Sequence, residues 1–321
     1  MKLTVLIPTY RRANDLRRCL EALARQLRLP DEVIAIARED DGDTRALLQD
    51  FPVQRLPLRN AVTGDGGTVA ALNQGLQEAT GDVIAILDDD TAPWPDWLQR
   101  VEGHFLSRPM LGGLGGRDIT RDQTAELPVV SRVGRVLWYG RWIGQAHRGY
   151  GAARPVDLLK GCNMSFRRAA LAGLAFDARL RGKGAQWFND SAISLAVQHA
   201  GWEVWYDPAV LVDHYHGPRQ DGDARRTSEP DEVYDVVFNE TLTLMEYLPA
   251  LRRQVYMLFG FLVGQRRAPG LVQWARAALT GRPYSAEYQL AAWRGRRDAW
   301  RLWREGQTRG GAGRRRSGMA A

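Results

Sequence analysis

The chain has 321 residues but only two cysteines, three lysines and no long apolar run. Cys19 and Cys162 are too few for a disulfide framework and lack metal-ligand spacing, so a reduced setting is expected. The longest apolar run, Val255 to Gly264, is about half of the ~20 residues that a membrane-spanning helix needs. The start, MKLTVLIPTY, lacks the longer apolar core and small-residue cleavage site of a secretory leader. Together these predict a cytoplasmic protein. Neither a Walker loop nor a GxGxxG motif occurs, so their phosphate-cradling mechanics are not assigned. No repeat with a 20- to 50-residue period is visible. With 45% hydrophobic and 25% charged residues, wholesale disorder is excluded.

What charge there is lies unevenly. The net charge is +7, yet residues 251–321 hold fifteen arginines against three acids and sum to +12. Residues 1–250 therefore carry −5. The basicity belongs to the C-terminal fifth, which weakens a nucleic-acid reading of the whole chain.

Short apolar runs at Leu3–Ile7, Val33–Ala37 and Val83–Leu87 read as buried strands. A further short strand is expected at Val53–Leu56. Helical patterns lie between the strands, the first capped by Asn14 with Leu16, Cys19, Leu20, Leu23 and Leu27 on one face. The alternation predicts parallel βαβ units, and fully apolar strands fit a sheet covered on both faces. Residues 111–160 are rich in glycine and tryptophan with no clean period. Residues 189–200 read as a helix, and 204–206 and 211–212 as two short strands. Four helices are expected at 231–248, 250–265, 270–280 and 285–305. The segment Gly310–Arg316 has the composition of a disordered tail.

Five constellations carry chemistry. Asp88-Asp89-Asp90 closes an apolar strand, where ligands of open α/β sheets bind. Three carboxylates there repel one another unless a cation compensates them, and hard oxygen donors suit Mg²⁺ or Mn²⁺. Pro8-Thr9-Tyr10-Arg11-Arg12 follows the first strand, either as a plain strand–turn–helix junction or as a place from which amides and arginine reach a nucleotide. Gly67 opens a helix carrying Asn73, and a glycine there permits close approach to a phosphate. Asn189-Asp190 begins a helix, which capping alone explains. Asp213-His214-Tyr215-His216 follows a short strand, so His214 is either a metal or phosphate ligand or an ordinary loop histidine.

Those residues, in that order, resemble the inverting family 2 glycosyltransferases of the GT-A fold. The resemblance rests on IPTYRR (7–12), GGTVAALNQG (66–75), LDDD (87–90), KGCNMSFRRAAL (160–171) and the segment 189–216. It implies a Rossmann-like, mostly parallel sheet flanked by helices, in a catalytic domain over 1–225. The donor half would span about 1–118 and the acceptor half about 119–225. A helical region over 226–305 and a basic tail over 306–321 would follow. The resemblance also implies site roles. Pro8, Thr9, Tyr10, Arg11, Asp40, Gly67, Asn73, Asp88 and Asp89 would face a nucleotide-diphospho-sugar donor. Asp90 and His214 would hold Mn²⁺ or Mg²⁺, Asp190 would be the general base, and Trp187 and Asn163 would lie on the acceptor side. Two departures stand out. Ala37 and Arg38 occupy the place of the family's usual acidic pair, which leaves Asp40 or Asp41 as the substitute. Asn189 stands where an acid often precedes the base.

The acceptor would be a carbohydrate or a lipid-linked sugar. Trp138, Tyr139, Trp142, Trp187 and Phe188 either stack on it or pack in the core. In the C-terminal region Trp293, Trp300 and Trp303 share a helical stripe with Leu290, beside arginines. That stripe suits either an anionic membrane surface, giving a peripheral location on its inner face, or packing on the catalytic domain. Competing functions are a nucleotidyltransferase, a non-catalytic nucleotide-sugar-binding protein and an RNA or DNA binder acting through the tail.

Overall fold

The computed structural model describes residues 1–52, 56–64, 66–121, 128–216, 229–265, 268–281 and 285–317, with side chains as far as residue 306. Five of the six residues of β1 (Leu3–Pro8) are buried, as are all five of β4 (Val83–Leu87). Burying each large aliphatic side chain contributes about 1.5–3 kcal/mol, which makes these strands the centre of the sheet. β2 (Glu32–Arg38) and β3 (Leu58–Thr63) continue it on one side, each parallel to its neighbour. α1 (Ala13–Leu23), α2 (Gly42–Asp50) and α3 (Thr68–Glu78) make the crossovers. This half is the expected set of parallel βαβ units.

The expected strand at 53–56 is displaced. Residues 53–55 lie outside the described set, and the strand is β3, whose burial is broken by exposed Arg59, Asn60 and Val62. An edge strand with one wet face carries too few apolar residues to announce itself.

The other half mixes directions. β5 (Thr91–Pro93) and α4 (Trp97–Ser107) lead to β6 (Leu111–Thr120), ten residues that sequence periodicity missed. β7 (Asn163–Arg167) runs antiparallel between β4 and β6. After α5 (Asn189–His199), one twelve-residue strand, β8 (Glu203–His214), replaces the two short ones expected, with an irregularity between Asp207 and Leu211. The sheet order is β3-β2-β1-β4-β7-β6-β8-β5, with Arg154–Pro155 also paired to β8. The fold is therefore the expected mostly parallel sheet flanked by helices, with antiparallel strands β7 and β5 in its second half.

β6 is glycine-rich because its neighbours leave no room. A Cβ at Gly112 would run into Trp202, and one at Gly116 into the Val210 carbonyl and the Asn163 amide. Four helices follow: α6 (Pro230–Tyr247), α7 (Ala250–Leu262), α8 (Leu271–Leu279) and α9 (Ala286–Ser317). α6 and α9 approach closely at Gly295, where a Cβ would sit 2.8 Å from the Tyr234 carbonyl oxygen. Trp300 and Trp303 pack with Leu244, Met245, Leu248 and Tyr256, so this part of the tryptophan stripe faces the protein. α9 continues to Ser317, through the segment whose composition suggests a disordered tail.

Candidate active site

Strand directions bring five chain segments to one sheet edge. β1 and β4 are parallel, and β7 is antiparallel to both β4 and β6. β6 and β8 therefore end where β1 and β4 end, and β7 begins there. Thr9–Arg12, Asp88–Asp90, Asp118–Thr120, Lys160–Cys162 and His214 thus meet at the carboxyl edge, the ligand edge of such sheets.

The ligand atoms of Asp88, Asp90 and His214 lie within 4.8 Å of one another. His214 Nε2 is 3.1 Å from Asp90 Oδ1, and the Tyr215 amide donates to the Asp90 carbonyl at 2.8 Å. Asp89 accepts from the Thr9 hydroxyl at 2.9 Å. Arg12 spans the cluster, 3.0 Å from Asp89 Oδ1 and 3.0 Å from Asp90 Oδ2. Burial raises the Asp89 carboxyl to about 7, with the Arg12 guanidinium opposing that rise. Two carboxylates and an imidazole are a donor set suited to Mn²⁺ or Mg²⁺. Asp90 and His214 are also buried, where uncompensated charge is costly.

Behind this cluster lies a second layer that the sequence did not disclose. Asp118 is fully buried on β6, its Oδ2 3.2 Å from His214 Nδ1 and ion-paired with Lys160. Burial opposes charge on His214, but the Asp118 and Asp90 carboxylates outweigh it and push the imidazole up to about 12, so a cation at Nε2 would have to displace that proton. Lys160 and His214 hold the Asp118 carboxyl well below the usual range despite its burial. Burial pushes the Cys162 thiol up, away from a nucleophilic role.

Asp190 sits in the first turn of α5. Its Oδ2 accepts the Gly161 N–H at 3.0 Å, and its Oδ1 accepts the Ser191 N–H at 2.6 Å. Burial raises the Asp190 carboxyl above its ordinary value, with both amides pulling against that rise. Four consecutive residues therefore tie the site together. Lys160 pairs with Asp118, Gly161 holds Asp190, Cys162 lies with Asp118 and His214, and Asn163 accepts from Trp97 Nε1 at 2.9 Å.

Other expected residues serve the frame. Asn163 is 1% exposed and also donates to the Val210 carbonyl, so its amide is committed inside the protein. Asn73 exchanges two 2.9 Å hydrogen bonds with the Phe176 backbone, fastening that segment to α3. The Thr68 amide beside Gly67 donates to the Gly184 carbonyl, and the Val69 amide to Gln186 Oε1. The start of α3 is thus occupied by protein groups. Trp187 is half-buried, its carbonyl accepting from Asn239, while Phe188 is buried edge-on to Trp142 at 5.2 Å.

Near Pro8 the chain turns at Arg11 (φ 53°), which points outward, 3.5 Å from Asp40. Tyr10 lies under the Arg38 guanidinium at 4.2 Å and donates to Asp40 at 3.1 Å. Asp41 caps α2 by accepting the Thr44 amide and also takes the Arg11 amide. Of the two acids, Asp40 is the one beside Tyr10, and Asp41 is structural. Arg12, not Arg11, faces the carboxylates. Two adjacent arginines carry no signal for which one turns inward.

A family model for glycosyl transferase family 2 matches residues 4–174. The chain belongs to this family. It is 34% identical to an uncharacterized glycosyltransferase, YwdF, of Bacillus subtilis over 103 residues, 32% of this chain and 37% of that one. The chain thus spans well under half the length of this curated relative. The fold is similar to S. aureus TarS 1–349 solved with UDP-GlcNAc, with TM-score 0.59 and 16% identity over 97% of this chain and 92% of that one. It is also similar to the mannosyltransferase PcManGT from Pyrobaculum calidifontis solved with GDP-Man and Mn²⁺, with TM-score 0.54 and 18% identity over 96% and 83% of the two chains. Among the described residues no helix is long and apolar enough to cross a membrane.

Proposed function

We propose that this family 2 member moves a sugar from a nucleotide-diphospho-sugar to an acceptor hydroxyl, inverting the anomeric carbon. One observation carries the reading: the segment 160–163 that fixes Asp190 also buttresses the Asp90–His214 cluster. A base and a charge-compensated pocket are thereby held in one frame. Family membership and the donors bound by TarS and PcManGT support the same donor class.

Asp88, Asp90 and His214 would hold Mn²⁺ or Mg²⁺, which when bound supplies positive charge against the departing diphosphate. Arg12 adds a fixed cation beside Asp89 and Asp90. Thr9 and Tyr10, with Asp40, line the nucleotide side. Asp190 accepts the proton of the attacking acceptor hydroxyl, work typically contributing ~10²–10⁴-fold. The two amides on its carboxylate fix its direction, and burial raises its basicity. The acceptor is a carbohydrate or lipid-linked sugar entering past Trp187.

The test is a melting-temperature panel of nucleoside diphosphates and nucleotide-sugars with and without Mn²⁺. The reading expects one nucleotide to stabilise the chain, and more so with Mn²⁺. Turnover should release nucleoside diphosphate. Release of pyrophosphate would instead mark attack at phosphorus, the chemistry of a nucleotidyltransferase.

A further inference from the structure

Among the described residues, α7 and α8 leave large apolar side chains exposed, in a stretch of sequence that holds no acid. α8 buries none of its nine residues. Leu271, Val272, Trp274 and Leu279 are exposed on it, Leu279 by 88%. α7 adds exposed Leu251, Leu258 and Leu262, spaced seven and four residues apart on a single helical stripe. Residues 138 and 139 lie beside α7. Tyr139 packs edge-on against Phe259 of α7 at 4.8 Å, Arg252 donates to the Trp138 carbonyl at 3.1 Å, and the Trp138 side chain is 68% exposed.

Two physical facts ask for a cover. A helix shorter than ~12–15 residues is marginal in water by itself, and among the described residues none of α8 is buried. Contiguous exposed leucine, valine and tryptophan mark an interaction surface. Charge then selects the occupant. Between Tyr247 and Ala286 the sequence holds six arginines and no acid; of the described ones Arg276 is exposed on α8, while Arg252 and Arg253 bond backbone carbonyls of residues 136–138 and 246. A second copy docking face to face would oppose two such segments, a like-charge arrangement that disfavours self-association. An anionic bilayer matches both the apolar face and the charge, and exposed indole suits its interface.

We propose that α7, α8 and Trp138 form a docking surface for anionic phospholipid bilayers, on which α8 lies flat at the headgroup level. This does not rest on the glycosyl-transfer reading, because lipid binding needs neither donor, cation nor turnover.

The test is co-sedimentation of the full chain with vesicles of phosphatidylcholine containing about 30% phosphatidylglycerol, and with phosphatidylcholine alone. The expected result is about tenfold stronger partition onto the anionic vesicles. Trp274→Ser combined with Leu279→Ser should lower that partition about tenfold, with the melting temperature unchanged because both side chains are exposed. Arg276→Gln should weaken anionic binding more than neutral binding. Sedimentation equilibrium without lipid should show the same oligomeric state in parent and double variant. The proposal is overturned by absent vesicle binding, by equal binding to both compositions, by binding that the substitutions leave untouched, or by a self-associated state that the double variant dissolves.

Discussion

His214 stands between two buried carboxylates, with Nε2 3.1 Å from Asp90 Oδ1 and Nδ1 3.2 Å from Asp118 Oδ2. Asp118 thereby sets the orientation of a proposed cation ligand without being one in that cluster. Partners of this kind are typically worth 10–100-fold in metal affinity. Asp118→Asn keeps the volume and loses the charge. We expect it to weaken Mn²⁺ binding by about that factor in calorimetric titration with a nucleoside diphosphate present. Unchanged affinity would remove Asp118 from the account.

Arg12 is a fixed cation that the protein places between Asp89 and Asp90. Removing one partner from a buried ion pair typically costs 3–5 kcal/mol, so Arg12→Gln should lower metal-free stability by about 3 kcal/mol. Mn²⁺ should restore part of that loss, giving a larger metal-induced melting shift in the variant than in the parent. A shift no larger than the parent's would mean that the carboxylates do not bind the ion.

A pH dependence follows from Glu240, which is buried among Trp142, Tyr256 and Gln265 near Arg296. Burial raises its carboxyl from 4.5 to about 7, with Arg296 opposing. Between those values the folded chain keeps a proton that the unfolded chain has released, so stability falls as pH rises through that window. The loss is on the order of 3 kcal/mol. Glu240→Gln should flatten the stability–pH curve between about pH 5 and 7.5 in denaturant melts. An unchanged slope there would count against Glu240.

At Gly116 the contact is steric. A Cβ would collide with the Val210 carbonyl and the Asn163 side chain, neither free to yield inside the sheet. Gly116→Ala should cost about 3 kcal/mol or more, or prevent folding, by urea denaturation. A loss under about 1 kcal/mol would show that β6 and β8 can separate there.

The sheet's centre was legible because Leu3–Ile7, Val33–Ala37 and Val83–Leu87 are uniformly apolar runs of strand length. β6 was not, because Gly112, Gly113, Gly115 and Gly116 erase the periodicity that packing would otherwise impose. Asp118 was lost with that strand. The resemblance put Asp90 and His214 on a cation and Asp88 on the donor; the structure sets the ligand atoms of all three within 4.8 Å of one another. Asn163 and Asn73 were expected at ligands, yet their amides hold backbone groups, a use no spacing rule distinguishes. The exposed face of α7 and α8 was illegible because amphipathic helices look alike whether or not a neighbour covers them.

Asp190 is proposed as the base of an inverting transfer. The direct measurement compares Asp190→Asn with the parent, using the nucleotide-sugar that stabilises the chain. We expect turnover, read as nucleoside diphosphate release with acceptor, to fall by about 10²–10⁴-fold. The dissociation constant for the nucleoside diphosphate with Mn²⁺ should stay within about twofold of the parent's, because Asp190 contacts neither the Asp88–Asp90 cluster nor His214 in the described hydrogen bonds. Near-parental turnover in the variant would contradict the account.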